Sequence, residues 1–378
     1  MIERELRELK RRFRPERTNI PKIIGCFVNG NHEIVSRISQ SLTLGDSVVS
    51  EKLLGVMKKS LSGTLGTNLR EIAFSTKEVT DGEEHKLLMK LRESRLEDND
   101  ALNTFYAKVN ESVKFEGNYV ILLANDVYDV FTKGNSGEES DSSEQFNYIV
   151  CAICPVKNPP EALTFRESDS LFHTVTATGL LGSVELGFTF PAFDDRKTNI
   201  YGALYYTRSL SESFPTFTEN VFGKSAPMPP AMQKATFGEC LSETLKDELD
   251  FEVVRSVHTQ IDELITTHKE ANDPEQLTIT KESVKAMIRN CGIDEEKVEK
   301  VGDAIDESFG VGAELVPKNI VNVKKFDITT PDVTIKVNPE RRDLVSTEII
   351  NGVRYILIRA TDGVEIGGIS IKEDTETE

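Results

Sequence analysis

The stretch "EGNYVILLAND" (Glu116–Asp126) decides the fold, because it contains an uninterrupted apolar run, Tyr119–Ala124, between turn residues. A continuous apolar run of this length between turn residues is typical of a buried strand. A second run, "FNYIVCAICPV" (Phe146–Val156), supplies the predicted partner strand. Another pair of strands is expected around Val184–Phe190 and Ile200–Thr207. The N-terminal half is therefore predicted to form a β-sheet.

Strand patterns and helix patterns fall into separate blocks along the chain, which predicts an α+β fold. We expect a mostly antiparallel sheet with flanking helices on one side, a helical middle region and a small C-terminal β-hairpin domain. Asn351-Gly352 is the strongest hairpin signal, and Thr280 and Gly292 are predicted to cap one helix. A proline-rich connector, Gly223–Ala231, marks the main boundary. The expected divisions are a basic amphipathic helix at 1–18, an α+β domain at 19–222, a helical region at 232–310, a small β domain at 311–372 and a disordered tail at 373–378.

The charge balance limits the classes of partner. The chain has 45 Lys and Arg residues against 63 Asp and Glu residues, a net charge of −18. This charge repels nucleic acid and anionic membranes, so binding to either would need a local basic patch. No apolar run approaches the roughly 20 residues of a membrane span, and the N-terminus lacks an apolar leader. With five scattered cysteines, these features predict a reduced, cytoplasmic protein with no membrane partner.

The N-terminal segment is the one place where positive charge is concentrated. Leu6, Leu9 and Phe13 line one stripe of a predicted amphipathic helix at 2–13. A local cationic arm can bind phosphate backbones even in an acidic protein. The competing interpretation is that this helix packs within the chain or in a homodimer, and the interspersed glutamates favour packing. The candidates for nucleic acid contact are Lys10, Arg11, Arg12, Arg14 and Arg17.

Two acidic pairs follow apolar strands. Asp126 and Asp129 lie in "NDVYD", and Asp194 and Asp195 lie in "FPAFDDRKTN". Metal-dependent hydrolysis needs carboxylates from separate elements that converge on one cation, so the four aspartates form a candidate metal site. Asp and Asn also form turns at strand ends by bonding their own backbone. The turn interpretation is favoured for both pairs.

Three other patterns in the sequence are typical of metal or phosphate sites, but their spacing or context does not support such a site. Cys151 and Cys154 form a C-x-x-C, but residues three apart in a strand point to opposite faces and cannot bind one ion together. Gly223-Lys224-Ser225 lacks the first glycine of a phosphate-binding loop. His258 and His268 lie on nearly opposite faces of a charged helix and are predicted to be solvated. We therefore favour a protein that is not an enzyme, and no cofactor is expected.

Seven stretches spread over nearly the whole chain are distinctive when they are taken together. They are "RRFRPERTNIPKIIGCFVN", "LSGTLGTNL", "EEHKLLMKLR", "EGNYVILLANDVYDV", "CPVK", "LGFTFPAFDDRKTNIYGALYYTR" and "VNPERRDLV". Together they resemble a numbered bacterial family of domains of unknown function, number 4317. This resemblance implies a bacterial cytosolic protein with no assigned activity, and it brings no catalytic residues to this sequence.

The order of elements, with "GNYVILLA" and "YIVCAI" as the matching words, is similar to that of bacterial nucleoid-associated proteins. The preferred hypothesis is a non-enzymatic cytosolic binding or scaffold protein, associated with the nucleoid or with nucleic acid. The alternative is a divalent-metal-dependent hydrolase that uses the aspartate cluster.

Overall fold

The structure is a computed structural model in which the chain forms two compact units. The first comprises Met1–Pro229 with Pro274–Gln276, and the second comprises Pro230–Asp273 with Leu277–Glu378. None of the helices in the described part of the chain is long and apolar enough to cross a membrane. The tail predicted at 373–378 lies outside the described residues. The described residues are 1–130, 144–158, 161–175, 179–209, 214–225, 227–271, 273, 275–322, 326–360, 364–366 and 369–371.

The first unit contains an antiparallel sheet and the helices that pack on it. Its helices are α1 (Glu3–Arg12), α2 (Ser47–Lys59), α3 (Thr76–Asp81), α4 (Glu83–Glu93), α5 (Asn99–Ser112) and α6 (Pro215–Phe222). Its strands are β1 (Lys22–Val28), β2 (Ile34–Ser41), β3 (Leu69–Ala73), β4 (Asn118–Val130), β5 (Glu144–Lys157), β6 (Ala162–Arg166), β7 (Leu171–Val175), β8 (Leu180–Leu181), β9 (Leu186–Phe190), β10 (Ala192–Asp194), β11 (Lys197–Asn199) and β12 (Gly202–Thr207). The main sheet has eight strands in the order β2-β1-β4-β5-β9-β12-β3, with β8 paired to β5.

The central strands β4 and β5 are the two longest, and they pair without a register shift from Asn118↔Val156 to Val130↔Glu144. Side chains along β4 alternate between two apolar cores. Tyr119, Ile121 and Leu123 belong to one core, and Val120, Leu122 and Ala124 belong to the other. The predicted buried strand and its partner are confirmed. Because both faces of these strands are apolar, both faces need a covering layer.

Helices accordingly cover both faces of the sheet, and the expectation of helices on one side only was wrong. Leu88 of α4, Phe105 of α5 and Phe217 of α6 pack in the first core. Leu9 of α1 and Leu54 of α2 pack in the second. The strand order gives the reason, because β2 and β3 lie at opposite edges of the sheet. The chain passes over one face with α2 and returns to the centre over the other face with α4 and α5.

The second unit contains a helical region followed by β-hairpins, which confirms the α+β class for the whole chain. Thr280 Oγ1 accepts a hydrogen bond from the backbone N–H of Ser283 at 3.3 Å, so it is the predicted N-cap. Asn351 and Gly352 both have positive φ, 52° and 80°, as a two-residue type I′ hairpin turn requires. The helices are α7 (Pro230–Leu245), α8 (Phe251–Ala271), α9 (Lys281–Asn290), α10 (Glu295–Phe309) and α11 (Pro317–Ile320). The hairpins pair β13 (Phe326–Thr329) with β14 (Thr334–Val337), β15 (Val345–Ile350) with β16 (Val353–Ile358), and β17 (Val364–Ile366) with β18 (Ile369–Ile371).

His258 on α8 is half-buried against an aromatic ring, contrary to the prediction that it is solvated. Its ring lies 5.7 Å from the ring of Phe326, in an edge-to-face arrangement. Burial, together with the positive charges of Arg342 and Lys234, lowers the pKa of His258 to about 4. The ring is therefore neutral at pH 7, and it acts as part of the apolar packing of the second unit.

Two glycines of the first unit give a matched test of the packing of α2 on the sheet. A Cβ atom on Gly187 of β9 would lie 2.5 Å from the carbonyl oxygen of Cys151 and 2.7 Å from Ser60 Oγ. A Cβ atom on Gly55 of α2 would have no atom within 4 Å. We expect Gly187→Ala to lower the free energy of unfolding by about 1–3 kcal/mol through overpacking. Gly55→Ala should raise it by about 0.5–1 kcal/mol, because alanine favours the helix.

Urea denaturation of the two variants beside the wild type measures both changes. Equal stability of the Gly187→Ala variant and the wild type would contradict the close contact between the C-terminal end of α2 and β9.

Candidate functional site

The polar residues that the sequence singled out are largely gathered around helix α1. Asp126 of β4 is fully buried. Arg12 donates to its two carboxylate oxygens from Nε at 3.0 Å and from Nη2 at 3.2 Å. The hydroxyl of Tyr148 donates to it at 2.8 Å, and the backbone N–H of Asn19 donates at 3.2 Å. A buried carboxylate needs such compensation, so Asp126 is a fully bonded anchor for the N-terminal segment.

Further contacts fasten α1 to two strand elements. The guanidinium of Arg12 stacks over the ring of Tyr128, 4.9 Å from its centroid, and the Arg12 side chain is only 13% exposed. Glu8 accepts hydrogen bonds from the hydroxyl of Tyr128 at 2.5 Å and from Nη2 of Arg196 at 2.9 Å. The α1 helix thus lies on β4 and on the β10–β11 hairpin, and Arg12 is part of this attachment.

The other four basic candidates divide by exposure. Lys10 is half-buried, and burial lowers its pKa below the ordinary value. Arg11, Arg14 and Arg17 are exposed. The cations that the surface offers to a partner at this end of α1 are therefore these three arginines, while Arg12 faces the sheet.

The two aspartate pairs have separate surroundings. Asp195 and Arg196 form the two-residue turn between β10 and β11, with φ of 49° and 58°, and Asp194 pairs with Lys197 across it. Positive φ at both central residues is the signature of a type I′ turn, so the turn interpretation of this pair is confirmed. Asp126 and Asp129 lie within β4 and pair with Tyr148 and Gln145 of β5, so the turn interpretation of that pair was wrong. Asp129 accepts a hydrogen bond from Gln145 at 3.0 Å. Within the described residues, no three Asp, Glu, His or Cys side chains are placed to hold a metal ion together.

The C-x-x-C of β5 is divided between the two cores, as the strand period predicts. Cys151 packs in the core beneath α5, and Cys154 packs in the core beneath α2. Burial raises the pKa of Cys154 to about 12 and raises that of Cys151 well above its ordinary value. Both thiols are therefore protonated, apolar packing groups without the thiolate that redox or zinc chemistry needs.

Sequence reasoning missed an exposed apolar surface on the β6–β7 hairpin. Leu163, Phe165 and Phe172 are 73%, 52% and 70% exposed. Phe165 pairs directly with Phe172, so their rings share a face, and the ring centroids are 5.4 Å apart. Leu163 is two residues from Phe165 and lies on the same face. We call these three side chains the apolar hairpin face. The alternation in "ALTFR" was the available signal for it.

The base of this hairpin is attached to the main sheet. Strand β8, which follows the hairpin, pairs with the end of β5 at Val156↔Leu181 and Lys157↔Leu180. The backbone N–H of Gly182 donates to the carbonyl of Pro155 at 2.7 Å. Among the described strands, β6 and β7 pair only with each other. The hairpin therefore has two outer edges that no described strand covers, in addition to its apolar face.

Adjacent arginines of α1 test the role of the buried ion pair. Arg12→Gln leaves the charge of Asp126 buried without its partner, and we expect a loss of about 3–5 kcal/mol in the free energy of unfolding. The neighbouring Arg11→Gln changes an exposed residue and should alter stability by no more than about 0.5 kcal/mol. Chemical denaturation of both variants measures the difference. Equal effects would show that the Arg12–Asp126 pair does not hold α1 on the sheet.

Comparison with known proteins gives a family and no characterised relative. A search of the curated proteins finds no match to the chain, and a search of the solved structures finds none either. One family model matches residues 1–369, which is nearly the whole sequence, and it confirms the resemblance drawn from the sequence motifs. The chain belongs to the family described as "Domain of unknown function (DUF4317)".

Proposed function

We propose that the protein is a non-enzymatic binding protein that associates with a second copy of the chain through the apolar hairpin face. The observation that carries this proposal is the exposure of Leu163, Phe165 and Phe172 on one face of a single hairpin. Monomeric proteins rarely expose contiguous large apolar groups without a partner for them. Covering the two phenylalanines and the leucine would contribute favourable free energy to association.

The free strand edges favour a polypeptide partner that can add a strand. An isolated two-stranded hairpin is marginally stable in water, and an exposed edge presents unpaired N–H and C=O groups. A second copy supplies a matching edge and a matching apolar face in one twofold arrangement. A second copy of the chain is therefore the partner that fits both the uncovered strand edges and the apolar hairpin face.

The charge around the hairpin permits this association despite the net charge of −18. Asp169 in the turn lies 2.7 Å from Nε2 of His173 and 3.7 Å from Nη1 of Arg166. Its negative charge is thus partly balanced within the hairpin. Glu161 and Glu167 leave residues 161–175 with a formal charge of −2, a small part of the total of −18, and salt screens the repulsion that remains between two hairpins.

The test compares neighbouring residues on opposite faces of the hairpin. Phe165→Thr combined with Phe172→Thr removes the aromatic groups and introduces β-branched residues that suit a strand. His173→Thr changes the other face and serves as the control. We expect the wild type and the control to form a concentration-dependent dimer, measured by sedimentation equilibrium, and the double variant to be monomeric at the same concentrations.

A monomeric wild type at the highest concentrations, or an unchanged dimer in the double variant, would contradict the proposal. Filter retention of duplex DNA across a salt series addresses the competing nucleic acid hypothesis on the same samples. Salt-sensitive retention that is lost when Arg11, Arg14 and Arg17 are changed to Gln would favour that hypothesis instead.

A further inference from the structure

A cleft of about 400 Å³ lies between the β1–β2 edge of the sheet and helix α5. Its floor is formed by the two strands, and its wall is formed by the side chains of α5. This volume is within the range of small-molecule sites, which are commonly lined by apolar groups with a few convergent polar ones. Its principal lining residues are Lys22, Ile24, Arg37, Leu102, Asn103 and Tyr106.

The charged groups of the cleft leave it with an excess of positive charge. Three charged side chains line it, Lys22, Arg37 and Glu97, and their net charge is +1. Neither cation forms an ion pair with any described residue, although the chain as a whole is strongly acidic. The guanidinium of Arg37 is held in place by Asn103, to which it donates a hydrogen bond, and by the ring of Tyr106, 4.5 Å away. An oriented guanidinium suits recognition of a carboxylate or phosphate group.

Tyr106 supplies the second, independent indication of a ligand. Tyr106 lines the cleft and is 2% exposed, and its hydroxyl forms no hydrogen bond with any described residue. Two other buried tyrosines of this unit do have partners, Tyr119 with Asn110 and Tyr148 with Asp126. The hydroxyl of Tyr106 is not one of the fully enclosed polar atoms of the described residues, so it meets solvent in the cleft, where a ligand can form a hydrogen bond with it.

We propose that this cleft binds a small organic anion. Arg37 binds its carboxylate or phosphate group, and Lys22, four residues away along the paired strands, adds positive charge to the same cleft. The apolar body of the anion lies against Ile24 and Leu102. The hydroxyl of Tyr106 then gains the hydrogen-bond partner that it lacks in the free protein. This inference is independent of the apolar hairpin face.

Calorimetric titration with benzoate, phenyl phosphate and neutral benzyl alcohol tests the proposal on the full chain. We expect saturable 1:1 binding of at least one anion, and the tighter of the two identifies the preferred head group. Arg37→Gln should weaken binding by about tenfold, as loss of a charged hydrogen bond does, and Lys22→Gln should weaken it by a smaller factor. Arg14→Gln removes an exposed cation outside the cleft and should leave binding unchanged.

Tyrosine variants separate ligand binding from a role in folding. Tyr106→Phe should weaken binding severalfold and leave thermal stability unchanged, because its hydroxyl has no partner in the protein to lose. Tyr148→Phe should lower stability, because it removes a bond to the buried Asp126, and it should leave binding unchanged. Equal binding of benzyl alcohol and the anions, no saturable binding, or unchanged affinity in Lys22→Gln and Arg37→Gln would overturn the proposal.

Discussion

The pairing of β4 with β5 is the interaction on which the rest of the first unit depends. Both strands are buried, and their side chains alternate between two apolar cores rather than between a core and solvent. A sheet with two apolar faces is stable only when both are covered, which here takes helices from two separate crossings of the chain. The three-layer architecture thus follows from a six-residue apolar run, Tyr119–Ala124, and its partner strand.

The polar residues that first suggested a site are understood in the same terms. Asp126 lies where the apolar part of β4 ends, and it is bonded by Arg12, Tyr148 and the backbone of Asn19. This network attaches α1, whose Leu6 and Leu9 complete one of the two cores. The basic residues near the N-terminus therefore have two roles. Arg12 attaches α1 to the sheet, whereas Arg11, Arg14 and Arg17 are exposed to solvent. Among the described residues, the apolar hairpin face and the cationic cleft beside α5 are the features that we propose for a partner and a ligand.

Local signals in the sequence predicted local structure well. The buried strand, the N-cap at Thr280 and the Asn351-Gly352 turn each depend on residues within one short segment, and each is confirmed. The placement of helices on both faces could not be predicted, because it follows from β2 and β3 lying at opposite edges, which no local pattern records. The pairing of Arg12 with Asp126 joins residues 114 positions apart in the sequence. The cleft depends on contacts between β2 and α5, and on an unpaired hydroxyl that only the folded chain reveals.

Hydrogen–deuterium exchange under native conditions tests the central role of β4 and β5 most directly. If this pair is the core of the first unit, the amides of Tyr119–Ala124 and Ile149–Ile153 exchange only through global unfolding of that unit. The amides of the β6–β7 hairpin, which lies outside the main sheet, should exchange through local opening at far higher rates. Exchange of the central amides as fast as those of the hairpin would contradict the account.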